Sequence, residues 1–114
     1  MIDISKFAPG VIEKMIEEYN SKPARFGELG DYVELHGIIN LTNVSHKIEN
    51  LRVEDGNVIC DIDVLDTPSG IILAQMFDDF QMRPRINGEM ENGLIISAEL
   101  IAIDMVQKTD DGKN

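Results

Sequence analysis

A chain reversal in the middle of the sequence most constrains what this chain can fold into. Asp55-Gly56-Asn57 is a strong turn sequence, and the residues after it alternate in hydropathy with a period of two. Such alternation is typical of a strand with one buried face. The apolar row consists of Val58, Cys60, Ile62 and Val64. Because residues 44–53 also read as extended, the sequence predicts an antiparallel hairpin around this turn.

The segments on either side of the hairpin complete an α+β pattern. Apolar residues at helical spacing predict a helix at about 9–20, and residues 32–40 read as a strand. A second helix is expected to start at Pro68, behind a Thr67 or Asp66 cap, and to end near Phe80. Residues 81–87 and 94–106 follow as extended segments, separated by a turn at 91–93. The order α-β-β-β-α-β-β predicts an α+β domain with a mainly antiparallel sheet.

Length and charge restrict the class of protein. With 114 residues, the chain predicts one domain over residues 1–107, with sheet and second helix in 32–106 and a polar tail at 108–114. Aspartate and glutamate number 21 against 10 lysines and arginines, a formal charge of −11, which disfavours direct nucleic-acid binding. The single cysteine, Cys60, excludes an internal disulfide framework. No apolar run suits a membrane span and no signal peptide is recognisable, so a cytoplasmic location is expected.

The titratable residues offer few candidates for chemistry. His46 could act as a base near neutral pH, although a half-exposed sheet histidine is the commoner outcome. His36 carries no stronger signal, and the two histidines lack metal-ligand spacing, so neither a metal nor another cofactor is predicted. Cys60 is interpreted as a small buried hydrophobe. The acids Asp61, Asp63 and Asp66 do not fit a calcium loop and are expected on a solvated strand face.

Arg83-Pro84-Arg85 is the only dense positive point in the sequence. It could bind a carboxylate, a phosphate or an acidic strand of a partner. With 21 acidic residues in the same chain, pairing inside the protein is the more common outcome for such arginines.

Several motifs in the middle of the chain occur together in one known family. They are the segment 41–48 with Val44-Ser45-His46, the strand start Asn57-Val58-Ile59, and Leu65-Asp66-Thr67-Pro68-Ser69-Gly70. Together with residues 99–106 near the end, this arrangement resembles the prohead core (capsid maturation) proteases of tailed phages. The resemblance covers about residues 40–106. It implies an α+β fold that could close into a small barrel, and it places His46 at the position of the general base.

The same resemblance argues against protease activity. In the family, a serine nucleophile lies in the segment that corresponds to residues 81–88 of this chain. Here that segment is QMRPRING, and Arg83 or Pro84 stands where the serine would be. Neither side chain has an oxygen or sulfur atom to activate, so acyl transfer is not expected there. Ser97, with Glu99 on the same side of its strand, is a weak substitute. An outward-facing serine on a half-buried strand is the simpler interpretation of Ser97.

Three functions follow from these expectations. The first is a phage-encoded, non-catalytic module in the host cytoplasm that binds a capsid, scaffold or host protein through Arg83, Arg85 and His46. The second is an acidic decoy that binds a host nucleic-acid-binding protein. The third, ranked last, is a serine hydrolase that uses His46 and Ser97.

Overall fold

The computed structural model describes residues 2–30 and 37–108. Within them, two α-helices and five strands confirm the α+β class. In chain order the elements are α1 (Val11–Asn20), β1 (Phe26–Glu28), β2 (Val44–Glu54), β3 (Asn57–Val64), α2 (Pro68–Gln75), β4 (Phe80–Glu91) and β5 (Leu94–Gln107). None of the described helices is both long and apolar enough to cross a membrane.

Two tight hairpins organise the strands. Asp55 and Gly56 join β2 to β3, with φ values of 52° and 78°. Asn92 and Gly93 join β4 to β5 in the same way, with φ values of 54° and 82°. Positive φ at both central residues is the geometry that matches the twist of the flanking strands, and it explains why Asp-Gly and Asn-Gly occupy these turns. Both reversals are where the sequence predicts them.

The strands form two antiparallel sheets, which do not close into the barrel that the sequence allows. One sheet has the order β1-β2-β3 and the other pairs β4 with β5. The amide of Gly30 donates to the carbonyl of Met105 at 2.8 Å, which links the two sheets beside β5. On the opposite side β3 and β4 meet through side chains, with Cys60 Sγ 3.6 Å from Met82 Sδ. Closure fails because no backbone ladder joins β3 to β4 among the described residues.

Helix α1 covers the core between the sheets. Its buried side chains are Ile12, Met15 and Tyr19, which belong to one cluster with residues of β2, β3 and β5. The helix starts at Val11 rather than at 9 because Gly10, with a φ of 86°, occupies the N-cap position. The predicted apolar face of this helix is therefore the face that packs inward.

Other boundaries differ from the sequence-based prediction. Residues 32–36 of the predicted strand 32–40 lie outside the described residues, and 37–40 are a turn followed by irregular chain. A strand is found instead at Phe26–Glu28, within a stretch whose glycines suggest a loop. Helix α2 ends at Gln75, before a short 3-10 turn at Phe77–Asp79, and β4 extends to Glu91. Residues 109–114 of the predicted tail also lie outside the described residues.

The start of α2 is fixed against the hairpin by backbone contacts. Thr67 Oγ1 accepts from the amide of Gly70 at 3.0 Å and donates to the carbonyl of Val44 at 2.5 Å. Gly70 itself packs so closely that an added Cβ would lie 1.9 Å from the carbonyl oxygen of Leu65 and 2.9 Å from that of Ser45. The predicted threonine cap is confirmed, and it also ties α2 to β2.

We expect Gly70→Ala to destabilise the protein by about 2–3 kcal/mol, because the methyl group meets backbone atoms that cannot rotate away. Gly37→Ala is the matched control, since a Cβ there has no atom within 4 Å and the residue does not have a positive φ. Urea unfolding of the two variants and the wild type measures the difference. Equal stability of the two variants would contradict the close packing of α2.

Candidate functional site

His46 lies on β2 with its imidazole fully buried. Its Nε2 is 2.8 Å from the carbonyl oxygen of Ile103, and its Nδ1 is 2.6 Å from Oγ of Ser45. A carbonyl oxygen only accepts hydrogen bonds, so Nε2 carries the proton and donates to Ile103. In the neutral ring Nδ1 then accepts from the Ser45 hydroxyl. Both ring nitrogens are occupied inside the protein.

Gly27 on β1 makes room for this ring. It lies opposite His46 in the β1–β2 ladder. A Cβ at Gly27 would stand 2.2 Å from His46 Nε2 and 2.2 Å from the Ile103 carbonyl oxygen. The bond from His46 to Ile103 therefore depends on the missing side chain at position 27, and it connects β2 directly to β5.

The surroundings of His46 favour its neutral form. Burial lowers the pKa of His46 below the ordinary value of 6.5, and the hydrogen bond to Ile103 and the charge of Asp104 only partly oppose this shift. The ring is therefore neutral at pH 7, in agreement with the tautomer assigned from its two partners.

Ser45 and His46 are as close together as a nucleophile and its base, but a substrate cannot reach them. A separation of 2.6 Å is within the range of such pairs. Both residues are fully buried, however, so neither the Ser45 hydroxyl nor the imidazole faces solvent. A substrate carbonyl cannot approach Oγ in this arrangement. The pair acts as a satisfied polar contact within the core.

Beside His46, three charged side chains form a second buried cluster, which we name the ion triad: Arg85, Asp104 and Glu28. Arg85 Nε lies 2.8 Å from Asp104 Oδ2, and another guanidinium nitrogen lies 3.0 Å from Asp104 Oδ1 and 3.2 Å from Glu28 Oε2. These side chains are 3%, 0% and 5% exposed. One guanidinium therefore serves two buried carboxylates, which come from β1 and β5.

Backbone and side-chain amides support the negative charge of the triad. The amide of Glu28 donates to Asp104 Oδ1 at 2.9 Å. The Glu28 carboxylate accepts from the amide of Asn40 at 2.9 Å and from Asn43 Nδ2 at 3.3 Å. Arg85 also donates to the carbonyl of Ile38 at 3.2 Å. The triad thus holds residues 38–43 against both sheets, which is a structural role for Arg85.

The remaining sequence candidates lie apart from His46. Arg83, two residues before Arg85 on β4, is exposed. Ser97 is exposed on β5 and donates to Glu89 at 3.1 Å, while Glu99 is exposed on the same strand. Because both nitrogens of His46 are occupied by Ser45 and Ile103, the imidazole cannot take a proton from Ser97 in this arrangement. Of the residues expected to line a binding groove, His46 and Arg85 are internal.

The other candidates behave as ordinary sheet residues. Burial raises the pKa of the half-buried Cys60 thiol, which makes it a poor nucleophile. Asp61 is exposed on β3, where it accepts from Asn50 and lies 3.5 Å from Arg52. No group of three or more potential metal ligands occurs within residues 2–30 and 37–108. His36 lies outside these ranges.

Ser45, Glu28 and Asp104 were not predicted from the sequence as members of these clusters. Asp104 did carry a signal, because it is the one charged residue in the apolar run 100–106. A carboxylate in a central strand needs a buried cationic partner. Glu28 carries no comparable signal, since its partners come from distant segments of the chain.

We expect Arg85→Met to destabilise the protein by about 3–5 kcal/mol, because it leaves two buried carboxylates without their cation. Arg83→Met, on the same strand but exposed, should change the free energy of unfolding by less than about 1 kcal/mol. Chemical denaturation of both variants at pH 7 measures the difference. Similar losses in the two variants would show that the triad does not stabilise the fold.

His46 predicts a pH dependence of stability. Below about pH 6.5 the unfolded chain binds a proton at His46 that the folded chain does not, so stability falls as the pH decreases. The slope is at most about 1.4 kcal/mol per pH unit. The free energy of unfolding is measured against pH for the wild type and for His46→Gln. The difference between the two curves isolates the contribution of His46, because the carboxylates titrate in both proteins. On the wild type, NMR should show the His46 ring titrating below its ordinary pKa of 6.5; a titration midpoint at or above 6.5 would contradict the assignment.

Comparison of the chain with protein-family models, with curated proteins and with solved structures finds no match. The likeness to prohead proteases therefore rests on the motifs in the sequence.

Proposed function

We propose that this chain is a non-catalytic protein-interaction module. The observation that carries the proposal is the enclosure of His46: its ring nitrogens are bonded to Ser45 and Ile103, and no part of the ring reaches solvent. The one histidine at the expected base position thus stabilises the core. Removing catalytic residues from a protease-like fold leaves its surfaces available for binding.

The surface supports binding more than it supports chemistry. Several large apolar side chains of α2 and the turn that follows it are exposed. Apolar groups that cluster at a surface are typical of protein interaction sites. Arg83 adds an exposed cation on β4 that can pair with an acidic residue of a partner.

The proposed partner is a phage capsid or scaffold subunit, or a host protein, met in the host cytoplasm. This part of the proposal rests on the prohead-protease motifs. It gives Arg85 and His46 an indirect role, in which they hold the structure beneath the surface, and it leaves Arg83 as an exposed residue that contributes to the contact.

The alternative of an acidic decoy has less support. A decoy needs a continuous row of unpaired carboxylates that imitates phosphates. On the β2–β3 sheet the acids are instead interleaved with cations: Lys47 lies near Glu49 and Asp63, and Arg52 lies near Glu54 and Asp61. That face presents mixed charge.

The test is co-expression of the chain with the capsid and scaffold proteins encoded in the same genome, followed by affinity purification and mass measurement of the partner. We expect a complex of fixed stoichiometry in which the partner stays intact. Arg83→Ala should weaken the affinity by about two- to fivefold, as for one exposed ion pair.

Ser97→Ala is the control for hydrolysis, and it should leave the complex and the partner's mass unchanged. Cleavage of the partner that disappears in Ser97→Ala would establish the hydrolase instead. Absence of binding to capsid, scaffold and host proteins alike would refute the interaction module.

A further inference from the structure

One side of α2 is apolar and has no cover in the described part of the chain. Helices that are apolar all round are normally buried on all sides. Here Gly70 and Leu73 pack inward, while large side chains on the other side stay 41–49% exposed. We name these residues the α2 face: Pro68, Ile71, Ile72, Met76 and, in the following turn, Phe77.

The α2 face lies within the most acidic part of the sequence. Residues 53–82 contain no lysine or arginine. Their seven carboxylates are Glu54, Asp55, Asp61, Asp63, Asp66, Asp78 and Asp79. Three of these have cationic partners, namely Glu54, Asp61 and Asp63.

Exposed acids stand at both ends of the face. Asp66 precedes α2, and Asp78 and Asp79 directly follow Phe77. None of these three has an ion-pair partner among the residues that the structure describes. The apolar strip therefore has uncompensated negative charge before and after it.

We propose that the α2 face docks a basic amphipathic segment of a partner protein, with its apolar side on Ile71, Ile72 and Met76 and its lysines or arginines near Asp66 and Asp78. This inference rests on the proposed function and names the surface and the class of partner. An apolar strip with acidic ends matches a helix that has an apolar side and flanking cations. Since α2 is about 12 Å long, two to three turns of such a helix suffice.

The charge distribution argues against a second copy of this chain as the occupant. Two copies would each bring a formal charge of −11. In an antiparallel pairing of two α2 helices, Asp66 of one copy would approach Asp78 and Asp79 of the other. Like charges at both ends disfavour that contact, whereas a cationic partner gains from the same groups.

The test uses a labelled 18-residue helical peptide of leucine and lysine, with one apolar face, titrated with the full chain at low salt. A scrambled peptide of the same composition is the reference for attraction by charge alone. We expect the amphipathic peptide to bind at least about tenfold more tightly than the scrambled one. Backbone amide shifts in the wild-type protein should map the contact to α2 and the following turn.

A double variant tests whether the peptide binds the α2 face rather than other exposed apolar side chains. Ile72→Gln with Met76→Gln should weaken peptide binding by about tenfold or more, because both side chains belong to the apolar centre of the contact. The matched control is Met90→Gln with Ile96→Gln, which alters two comparably exposed side chains on the β4–β5 hairpin and should change the affinity less than twofold. Asp78→Asn with Asp79→Asn should weaken binding and reduce its salt dependence.

Several results would overturn the inference. These are equal binding of the scrambled peptide, amide shifts away from α2, or an unchanged affinity in Ile72→Gln with Met76→Gln. If sedimentation shows a dimer of the wild type that this double variant abolishes, the α2 face binds a second copy of the chain instead. If a capsid or host partner binds the wild type and the double variant equally well, the interaction module stands and the α2 assignment fails. If the peptide binds α2 but no partner protein binds, the proposed function fails.

Discussion

Arg85, Asp104 and Glu28 meet at the place where the two sheets come together, and the surrounding structure depends on their mutual compensation. One guanidinium faces two carboxylates, so the cluster is stable only because amides of Glu28, Asn40 and Asn43 also donate to the acids. These donors come from β1 and from residues 40–43. These hydrogen bonds to the triad therefore tie β1 and residues 40–43 to the acids at the junction of the two sheets.

The triad and the contacts of His46 have one feature in common. In both clusters, buried polar or charged side chains are bound by other parts of the same chain. His46 bonds to Ile103 on β5, and Arg85 bonds to acids of β1 and β5. Both polar clusters lie within a core that is otherwise apolar, while large apolar side chains of α2 remain exposed.

Local signals in the sequence predicted most of the fold but little of the site. The turns at Asp55-Gly56 and Asn92-Gly93, the Thr67 cap and the inward face of α1 depend on neighbouring residues, so they could be read directly. The short strand β1 could not be predicted in this way, because it forms by pairing with the distant strand β2. Its Gly27 is needed because the His46 ring and the Ile103 carbonyl oxygen lie beside it. The triad was missed for the same reason, since its members lie up to 76 residues apart.

The close approach of Gly27 to His46 couples two positions that are far apart in the sequence. Any side chain at position 27 would occupy the space of the bond between His46 and Ile103. A smaller residue in place of the histidine would clear only part of that space, because the backbone carbonyl oxygen of Ile103 still lies 2.2 Å from the added Cβ. Alanine at 27 therefore needs a shift of the β5 backbone as well as a changed residue 46. Gly27, His46 and the β5 backbone at Ile103 therefore constrain one another, and redesign of this core has to treat the strand pair β1–β2 and its contact with β5 as a single packing problem.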